Sequence, residues 1–509
     1  MRRQGAGPTT LRAVTGSGGM VAAGHPRTAE VGARVLREGG NAVDAAIAAV
    51  LASWVCEPLL TGPGAGGYML VAEPGEEPAL LDFFVAAPGA GHEGSPHAEL
   101  FSYDVSFGDA VQTFNGGVAS CAVPGSPAGL AEAAARWGSI PLADLAAPAA
   151  RLAREGVAPT TEQEYIFEIL GPILGHTPEA AAVFAPGGAP LTRRDRYRSD
   201  ELAETIERLG ADGAEPFYRG DIADALAEHV LERGGLLRAA DLRAYAPVLR
   251  EPVRAAYRGR TVFTNPPPAA GGALLAVAFA RLDAREGPGP PDPAALVAVM
   301  EDVQALRDDA FLAGLPEPGF LERFLQASLG STTHVSVLDA QGRACSVTCT
   351  NGAASGVIVP GTGIHLNNIM GEEDLNPAGF FRSPPGLRMP SMMAPTVVLG
   401  ASGEVELVVG SAGSNRIRSA ILQVVVNVVD RGMAAGAAIE APRIHAEGGV
   451  IYAEPGLELG ALERAGREIV RFRARNLFFG GAQAVERDPR TGALSGGGDP
   501  RRGGAAVAA

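Results

Sequence analysis

The sequence predicts an α+β protein in which helices and strands interleave within one fold. Helical and strand-like segments alternate from about residue 28 onward, and the chain has no internal repeat. Hydrophobic residues make up 46% of its 509 residues and aromatic residues 6%, which indicates a globular core. Length alone allows up to three domains. Because strands and helices interleave in both halves, a cut at Thr332 would divide one fold rather than separate two domains.

Two helices open the predicted fold. The first begins near Thr28 and ends at Gly39-Gly40. Asn41 then caps a second helix over residues 42–54, because its side chain can accept hydrogen bonds from the first free backbone amides. Apolar residues cover nearly all of this second helix, so it must be buried.

The remaining segments alternate in type. Strands are predicted at 68–72, 79–83, in a pair between 332 and 350, and in a second pair over 396–410; helices are predicted at 127–137, 143–155, 200–209, 221–232, 271–285 and from about 415 to 429. Residues 287–293 are rich in proline and glycine and are the best linker candidate.

Several classes of enzyme lack their signature in this chain. All 42 basic residues are arginine, which excludes a P-loop, a pyridoxal Schiff base and any catalytic lysine. No Gly-x-Ser-x-Gly and no His-Glu-x-x-His occurs, so the sequence motifs of α/β-hydrolases and zincins are absent. Gly62, Gly64 and Gly67 form a Gly-x-Gly-x-x-Gly, but a strand-like run follows it where a dinucleotide site needs a helix. We interpret it as a glycine-rich loop.

The net charge and the cysteines exclude several classes of binding partner and site. The net charge of −15 argues against nucleic acid and against an anionic membrane surface. No run of about 18 apolar residues occurs, and no apolar segment follows the arginines at positions 2 and 3, so a cytoplasmic protein is expected. The cysteines are too scattered for a disulfide scaffold and lack the neighbours of a metal site. They are predicted to be buried free thiols, at positions 56, 121, 345 and 349.

Thr332 and Thr333 stand at the head of the strand-like run Thr-Thr-His-Val-Ser-Val-Leu-Asp. A threonine that becomes a chain terminus carries its own general base, the α-amine, and needs no histidine or lysine. The run therefore suits a nucleophile that is exposed by self-cleavage. Two β-branched residues before an alternating apolar pattern also suit an ordinary buried strand.

A dozen ordered motifs resemble the γ-glutamyltranspeptidase family of N-terminal nucleophile hydrolases. They are Glu38-Gly-Gly-Asn-Ala-Val-Asp-Ala-Ala, Gly64-Ala-Gly-Gly-Tyr-Met-Leu, Val123-Pro-Gly-Ser-Pro-Ala-Gly, Phe217-Tyr-Arg-Gly, Asp241-Leu-Arg-Ala-Tyr, Pro266-Pro-Pro-Ala-Ala-Gly-Gly, Thr332-Thr-His, Leu366-Asn-Asn, Ser391-Met-Met-Ala-Pro-Thr, Gly410-Ser-Ala-Gly-Ser-Asn-Arg, Ala441-Pro-Arg-Ile-His and Gly498-Asp-Pro-Arg. The resemblance implies a four-layer αββα sandwich. It also implies a precursor cut between Ser331 and Thr332 into subunits 1–331 and 332–509, which stay together as a heterodimer or within a higher oligomer.

The same resemblance implies roles for individual residues. Thr332 is expected to be the nucleophile, and Thr350 is expected to hydrogen-bond to it. The backbone amides of Gly413 and Ser414 are expected to form the oxyanion hole. Thr332 would form an acyl-enzyme and pass the acyl group to water or to an amine, without metal or organic cofactor.

Substrate recognition departs from the family pattern. The arginine that clamps the substrate carboxylate is replaced, since its segment reads Asp82-Phe83-Phe84. The family's serine pair reads Ser391-Met392. The aspartate that holds the α-amine corresponds to Glu372, one methylene longer, and the nearby asparagine corresponds to Asn351, shifted by one place. Arg388 is either a substitute clamp or a solvated side chain.

The resemblance implies that the substrates are small γ-glutamyl compounds, and that the enzyme belongs to glutathione metabolism. Loss of the clamp leaves two enzymatic alternatives, an acylase acting on other amides and a carbon-carbon bond hydrolase of a natural-product pathway. A third alternative is an uncleaved, non-catalytic homologue.

Overall fold

Two antiparallel sheets of seven strands each form the centre of the protein. The computed structural model describes residues 14–16, 18–92, 94–106, 111–285, 289–305, 332–376, 379–413 and 415–509. Within these ranges the helices are α1 (Pro26–Arg37), α2 (Ala42–Cys56), α3 (Ser126–Trp137), α4 (Leu142–Glu155), α5 (Thr161–Ile169), α6 (Gly171–Leu174), α7 (Pro178–Phe184), α8 (Asp200–Asp212), α9 (Glu215–Tyr218), α10 (Asp221–Glu232), α11 (Ala239–Ala244), α12 (Ala270–Asp283), α13 (Pro293–Ala305), α14 (Arg416–Val429), α15 (Ala435–Glu440) and α16 (Gly460–Arg464).

The strands in the same ranges are numbered in chain order. They are β1 (Val14–Gly16), β2 (Gly19–Ala23), β3 (Gly66–Ala72), β4 (Ala79–Phe83), β5 (Phe101–Ser106), β6 (Val111–Gly116), β7 (Val248–Arg250), β8 (Val253–Tyr257), β9 (Arg260–Thr264), β10 (Thr333–Asp339), β11 (Ala344–Thr350), β12 (Ile358–Val359), β13 (Ile364–His365), β14 (Thr396–Leu399), β15 (Val405–Ala412), β16 (Ile444–Glu447), β17 (Val450–Ala453), β18 (Glu468–Arg471), β19 (Gly481–Arg487), β20 (Leu494–Gly498) and β21 (Ala505–Ala508).

The two sheets face each other and are covered by helices on their outer sides. The first sheet has the order β21-β2-β10-β11-β3-β4-β7, and the second has the order β1-β20-β19-β15-β14-β9-β8. Helices α1 and α2 cover the first sheet, α12 and α14 cover the second, and β10 and β11 pack on β15. Separate apolar clusters fill the three spaces between these layers. The structure therefore confirms the αββα sandwich.

Both sheets contain strands from each side of Thr332. In the first sheet, β2 and β3 flank the pair β10–β11, and in the second sheet β9 pairs with β14. A break before Thr332 would thus leave both sheets shared between two polypeptides.

Helix α2 is the most enclosed helix of the first layer. All fifteen of its residues are buried, as the nearly continuous apolar surface of its sequence predicts. Asn41 accepts hydrogen bonds from the amides of Val43 and Asp44, and the Asp44 carboxylate accepts one from the Asn41 amide. This reciprocal capping satisfies donors that no water can reach.

His334 and Gly410 determine how closely the two sheets pack at this point. A β-carbon at Gly410 would lie 2.2 Å from the His334 ring, so only glycine fits there. The imidazole contacts Thr348 Oγ1 at 2.8 Å and Ser336 Oγ at 2.9 Å. Burial lowers the pKa of His334 to about 3, so the ring is neutral at physiological pH.

Some sequence expectations fit less well. Residues 287 and 288 of the proposed linker lie outside the described residues, and helix α13 already begins at Pro293. The helix predicted over 271–285 ends at Asp283. The hairpin β5–β6, helices α5 to α7 and the small sheet β16–β18 were not predicted.

We expect the protein to lose stability as the pH falls from 6.5 toward 4. Burial lowers the pKa of His334 to about 3 and the pKa values of His25 and His365 to about 4, whereas histidine in an unfolded chain titrates near 6.5. The unfolded chain therefore binds more protons in this window, and the free energy of unfolding rises with pH. The Glu57 carboxyl, whose pKa is raised from 4.5 to about 7, and the Glu486 carboxyl, whose pKa is also raised by burial, act with the opposite sign. Burial also lowers the pKa values of His176, His229 and His445, so six histidines oppose these two carboxyls.

Thermal unfolding in buffers of constant ionic strength measures this effect. The Tm should fall between pH 6.5 and pH 4. A Tm that stays constant or rises over that interval would contradict the assignment of these histidines as buried and neutral.

Candidate active site

Thr332 lies one residue before β10, and the register of β10 sets the direction of its side chain. Strands β10 and β11 are antiparallel, with Thr333 opposite Cys349. Extending this register by one residue sets Thr332 opposite Thr350. Because side chains alternate along a strand, Thr332 and Thr350 share the face of His334, which lies between the two sheets.

Both threonine hydroxyls are enclosed. Thr332 is 1% exposed, and its Oγ1 has no hydrogen-bond partner among the described residues. The Oγ1 of Thr350 accepts a hydrogen bond from the Gly352 amide at 2.7 Å. The expected hydrogen bond between Thr350 and Thr332 is therefore not formed in this structure. Since the Thr350 hydroxyl only accepts here, its proton is available for a donated bond.

The second sheet brings the Gly413 turn to the same end of the sandwich. Strand β15 ends at Ala412, two residues beyond the position that packs on His334. Gly413 follows with φ +118°, where a β-carbon would lie 2.5 Å from the Gly480 Cα. Ser414 lies outside the described residues, and α14 begins at Arg416.

A row of positions crosses the first sheet from Thr332 to Phe84. Strand β11 pairs Thr350 with Gly66 of β3, and the register of β3 with β4 sets Gly66 beside Phe84. Adjacent strands lie about 4.8 Å apart, so Phe84 is roughly 14 Å from Thr332 across the sheet. Gly66 contributes no side chain to the space between them.

Phe84 is completely buried where the family pattern expects an arginine. Its ring stacks on Tyr68, with ring centroids 5.6 Å apart and an interplanar angle of 26°. Both rings belong to the apolar cluster between the sheets, together with Met389 and Met393. The position thus presents an apolar surface with no cationic side chain.

Arg388 lies near Phe84, but its guanidinium already bonds to other groups of the protein. Its two Nη atoms donate to the carbonyl oxygens of Phe84 and Ala246, and its Nε lies 3.4 Å from the Asp82 carboxylate. The guanidinium also lies over the ring of Tyr245, 4.5 Å from the centroid. Of the two expectations for Arg388, the solvated side chain is wrong, because the side chain is only 10% exposed.

In the described part of the chain, no three His, Cys, Asp or Glu side chains are grouped so as to hold a metal ion. All four cysteines are buried and free, as predicted. None of the helices with assigned positions has the length and hydropathy needed to cross a membrane.

Comparison with known proteins gives the family. The sequence model described as gamma-glutamyltranspeptidase matches residues 28–289 and 317–509. The chain belongs to the γ-glutamyltranspeptidase family. It is therefore an enzyme of a hydrolase and transferase family, and the resemblance found in its sequence motifs is confirmed.

Relatives in this family include both acylases and glutathione hydrolases. The chain is 32% identical to the Acylase ACY 1 proenzyme of Pseudomonas sp. (strain V22), over 95% of this chain and 92% of the relative. It is 30% identical to the glutathione hydrolase proenzyme of Escherichia coli (strain K12), over 95% and 90% of the two chains. The crystal structure of cephalosporin acylase from Bacillus halodurans superposes with a TM-score of 0.84 at 27% identity, covering 100% of this chain and 99% of the acylase.

Two of the residues matched to the γ-glutamyltranspeptidase substrate site meet around the loop after Thr350. The Oε1 of Glu372 accepts a hydrogen bond from the Ala353 amide at 3.2 Å, and a β-carbon on Gly352 would lie 2.6 Å from the same oxygen. Asn351 is fully buried and donates through Nδ2 to a backbone carbonyl. The structure thus places Asn351 and Glu372 beside Thr350.

The serine-methionine pair lies beside the start of α12. Ser391 Oγ accepts a hydrogen bond from the Met393 amide at 3.1 Å, and the Ser391 carbonyl accepts one from Ala270. Met392 packs in the apolar cluster between the second sheet and its helices. Phe84 belongs to a different cluster, so the structure does not bring these two substituted positions together.

Glu57 is a residue of this region that was not predicted from the sequence. It follows α2, and its Oε2 accepts a hydrogen bond from Thr333 Oγ1 at 2.7 Å. The sequence feature that could have identified Glu57 is its position, a carboxylate directly after a helix that is apolar on all sides. A buried charge in such a place needs a specific partner.

We expect Arg388→Met to destabilise the fold by about 2 to 4 kcal/mol, because the Phe84 carbonyl oxygen loses a donor and the buried Asp82 carboxylate loses one of its two cations. Arg254→Met is the matched control: this arginine is 56% exposed, and its replacement should cost less than about 0.5 kcal/mol. Urea denaturation measures both. Unchanged stability of Arg388→Met together with a raised KM would instead make Arg388 a substrate ligand.

Proposed function

We propose that this protein is a self-processing acylase whose nucleophile is Thr332. The observation that carries the proposal is the position of the Thr332 hydroxyl, which is buried at the head of β10 without a hydrogen-bond partner among the described residues. It faces the space between the sheets, opposite Thr350. A buried hydroxyl in this condition carries an energetic cost, which is expected where a group is held for chemistry.

The chemistry has two stages. In the precursor, Thr332 Oγ1 attacks the carbonyl carbon of residue 331, the peptide bond to the Thr332 nitrogen breaks as that nitrogen receives the hydroxyl proton, and water hydrolyses the resulting ester to free the carboxylate of residue 331. In the mature enzyme, the freed α-amine takes the hydroxyl proton as Oγ1 attacks the acyl carbon of the substrate. The leaving amine receives that proton, and water or an acceptor amine then takes the acyl group from Thr332.

The second sheet supplies stabilisation of the oxyanion in this proposal. The Gly413 amide lies just after the end of β15, three residues before the start of α14. Amides at a helix N-terminus favour a developing negative charge. Residue 331 and residue 414 both lie outside the described residues, so the roles of Ser331 and Ser414 are part of the proposal.

The acyl group that suits this site is apolar. An acyl chain on Thr332 would extend over Thr350 and Gly66 toward Phe84, which presents a buried aromatic ring. A carboxylate placed against that ring would lose its hydration without gaining a cation, and Arg388 already has other partners. The relative named an acylase supports release of an acyl group by this enzyme.

A γ-glutamyl substrate is the second candidate. It is favoured by the carboxylate of Glu372 beside the loop after Thr350, since this acid could hold the substrate ammonium. The glutathione hydrolase relatives also support a γ-glutamyl substrate. Both candidates use the same nucleophile and differ in what binds the far end of the acyl group.

Thr332→Ala should remain a single 52.0 kDa chain, while the wild type separates into two chains that end and begin at residues 331 and 332. Thr332→Ser should still be cut, because the hydroxyl and the future amine both survive. Intact-mass measurement of freshly purified protein gives the result. Cleavage of Thr332→Ala at the same bond would remove Thr332 from the role of nucleophile.

The wild-type enzyme should favour a hexanoyl anilide over a γ-glutamyl anilide by at least about tenfold in kcat/KM, because one charge-assisted contact to the glutamyl carboxylate is missing. Phe84→Arg should narrow this ratio by a similar factor. Phe84→Leu is the matched control, since it keeps the position apolar and should keep the preference. A wild-type enzyme that favours the γ-glutamyl anilide would contradict the apolar pocket and support the second candidate.

A further inference from the structure

Glu57 ties the residue after Thr332 to the end of helix α2. Its Oε2 accepts a hydrogen bond from Thr333 Oγ1 at 2.7 Å, and both side chains are buried. Thr333 is the first residue of β10. The hydrogen bond therefore anchors the strand at its starting residue, next to the proposed scissile bond.

The carboxylate sits in a tight enclosure. A β-carbon on Gly24 would lie 2.3 Å from Glu57 Oε2, so the chain passes directly against it. Its second oxygen, Oε1, makes no hydrogen bond to the described residues. The hydroxyl of Thr333 is the donor 2.7 Å from this carboxylate, and the Thr28 hydroxyl lies close to it.

Several neighbours act on the charge of Glu57. Burial raises its pKa to about 7, while the hydrogen bond from Thr333, the positive charge of Arg502 and the nearby Thr28 hydroxyl act in the opposite direction. Cys56, next in the chain, has its own pKa raised to about 12 by burial and is neutral. Arg502 is thus the charged group that faces this carboxyl.

We propose that Glu57 is a positioning residue for Thr332, and that self-cleavage depends on its hydrogen bond to Thr333. The inference rests on the proposed nucleophile. Adjacent side chains on a strand point to opposite faces, so holding Thr333 on the side of α2 directs the Thr332 hydroxyl into the space between the sheets. Without the anchor, rotation of the strand end would change the direction of the Thr332 hydroxyl, and self-cleavage would slow.

The anionic form of Glu57 is the better anchor, because a carboxylate accepts a stronger hydrogen bond than a carboxylic acid does. Self-cleavage should therefore quicken as the pH rises through about 7 and Glu57 loses its proton. Self-cleavage is the cleaner readout, since the α-amine of Thr332, which would also titrate, does not exist in the precursor.

The test follows cleavage of freshly translated full-length precursor over time at several pH values between 6 and 8.5, with Tm measured in parallel. Thr333→Val should slow cleavage at least about tenfold, the loss expected for one hydrogen bond to a charged group. Thr333→Ser should restore most of the rate, because the hydroxyl is kept. Glu57→Gln should be slower than the wild type and should lose the change in rate near pH 7.

Asp44→Asn is the matched control. Asp44 is a buried carboxylate at the opposite end of the same helix, where it caps α2 and accepts a hydrogen bond from Ser139. Its replacement should lower the Tm while folded precursor is cleaved at the wild-type rate. Equal slowing in Asp44→Asn would overturn the inference, since any damage to α2 would then suffice.

The remaining outcomes separate the two proposals. Wild-type rates and pH dependence in Thr333→Val and Glu57→Gln, with Thr332→Ala uncut, would overturn the role of Glu57 alone. Cleavage of Thr332→Ala would overturn the nucleophile itself. Failure of Thr333→Ser to rescue the rate would show that packing of the methyl group, and not the hydrogen bond, matters.

Discussion

The contact of the His334 ring with Gly410 sets the distance between the two sheets at the end where Thr332 lies. A neutral imidazole can be buried there because two hydroxyls satisfy its nitrogens. Only a glycine in β15 allows the sheets to come this close. The end of β15 and the turn at Gly413 are thereby brought toward the start of β10. A larger or charged group at this contact would separate the proposed nucleophile from its oxyanion donors.

Much of the fold could be predicted from local signals. Helix α2 has an unbroken apolar surface and an asparagine cap, and both features are visible in the sequence and present in the structure. The strand after the Gly64 loop and the buried free cysteines were likewise predicted from the sequence and are present in the structure. The hairpin β5–β6 was missed because its burial comes from a loop that is distant in sequence: the Gly371 carbonyl accepts a hydrogen bond from Asn115.

The candidate site was less predictable, because its residues depend on contacts between remote segments. The sequence shows that an arginine is missing at Phe84, but it cannot show that the Arg388 guanidinium donates to the carbonyl oxygens of Phe84 and Ala246. It pairs Ser391 with Met392, although neighbours on an extended chain face opposite ways. Glu57 is unremarkable in the sequence until folding places it 2.7 Å from Thr333.

The interleaving of strands on both sides of Thr332 has a consequence for how the protein assembles. Because β2 and β3 must pair with β10 and β11, the chain has to bring together segments hundreds of residues apart, which makes folding slow. While the chain is continuous, this search is intramolecular. Once the bond before Thr332 is cut, two unfolded pieces would have to meet by diffusion, so the cut enzyme would persist through a slow rate of unfolding rather than through ready refolding.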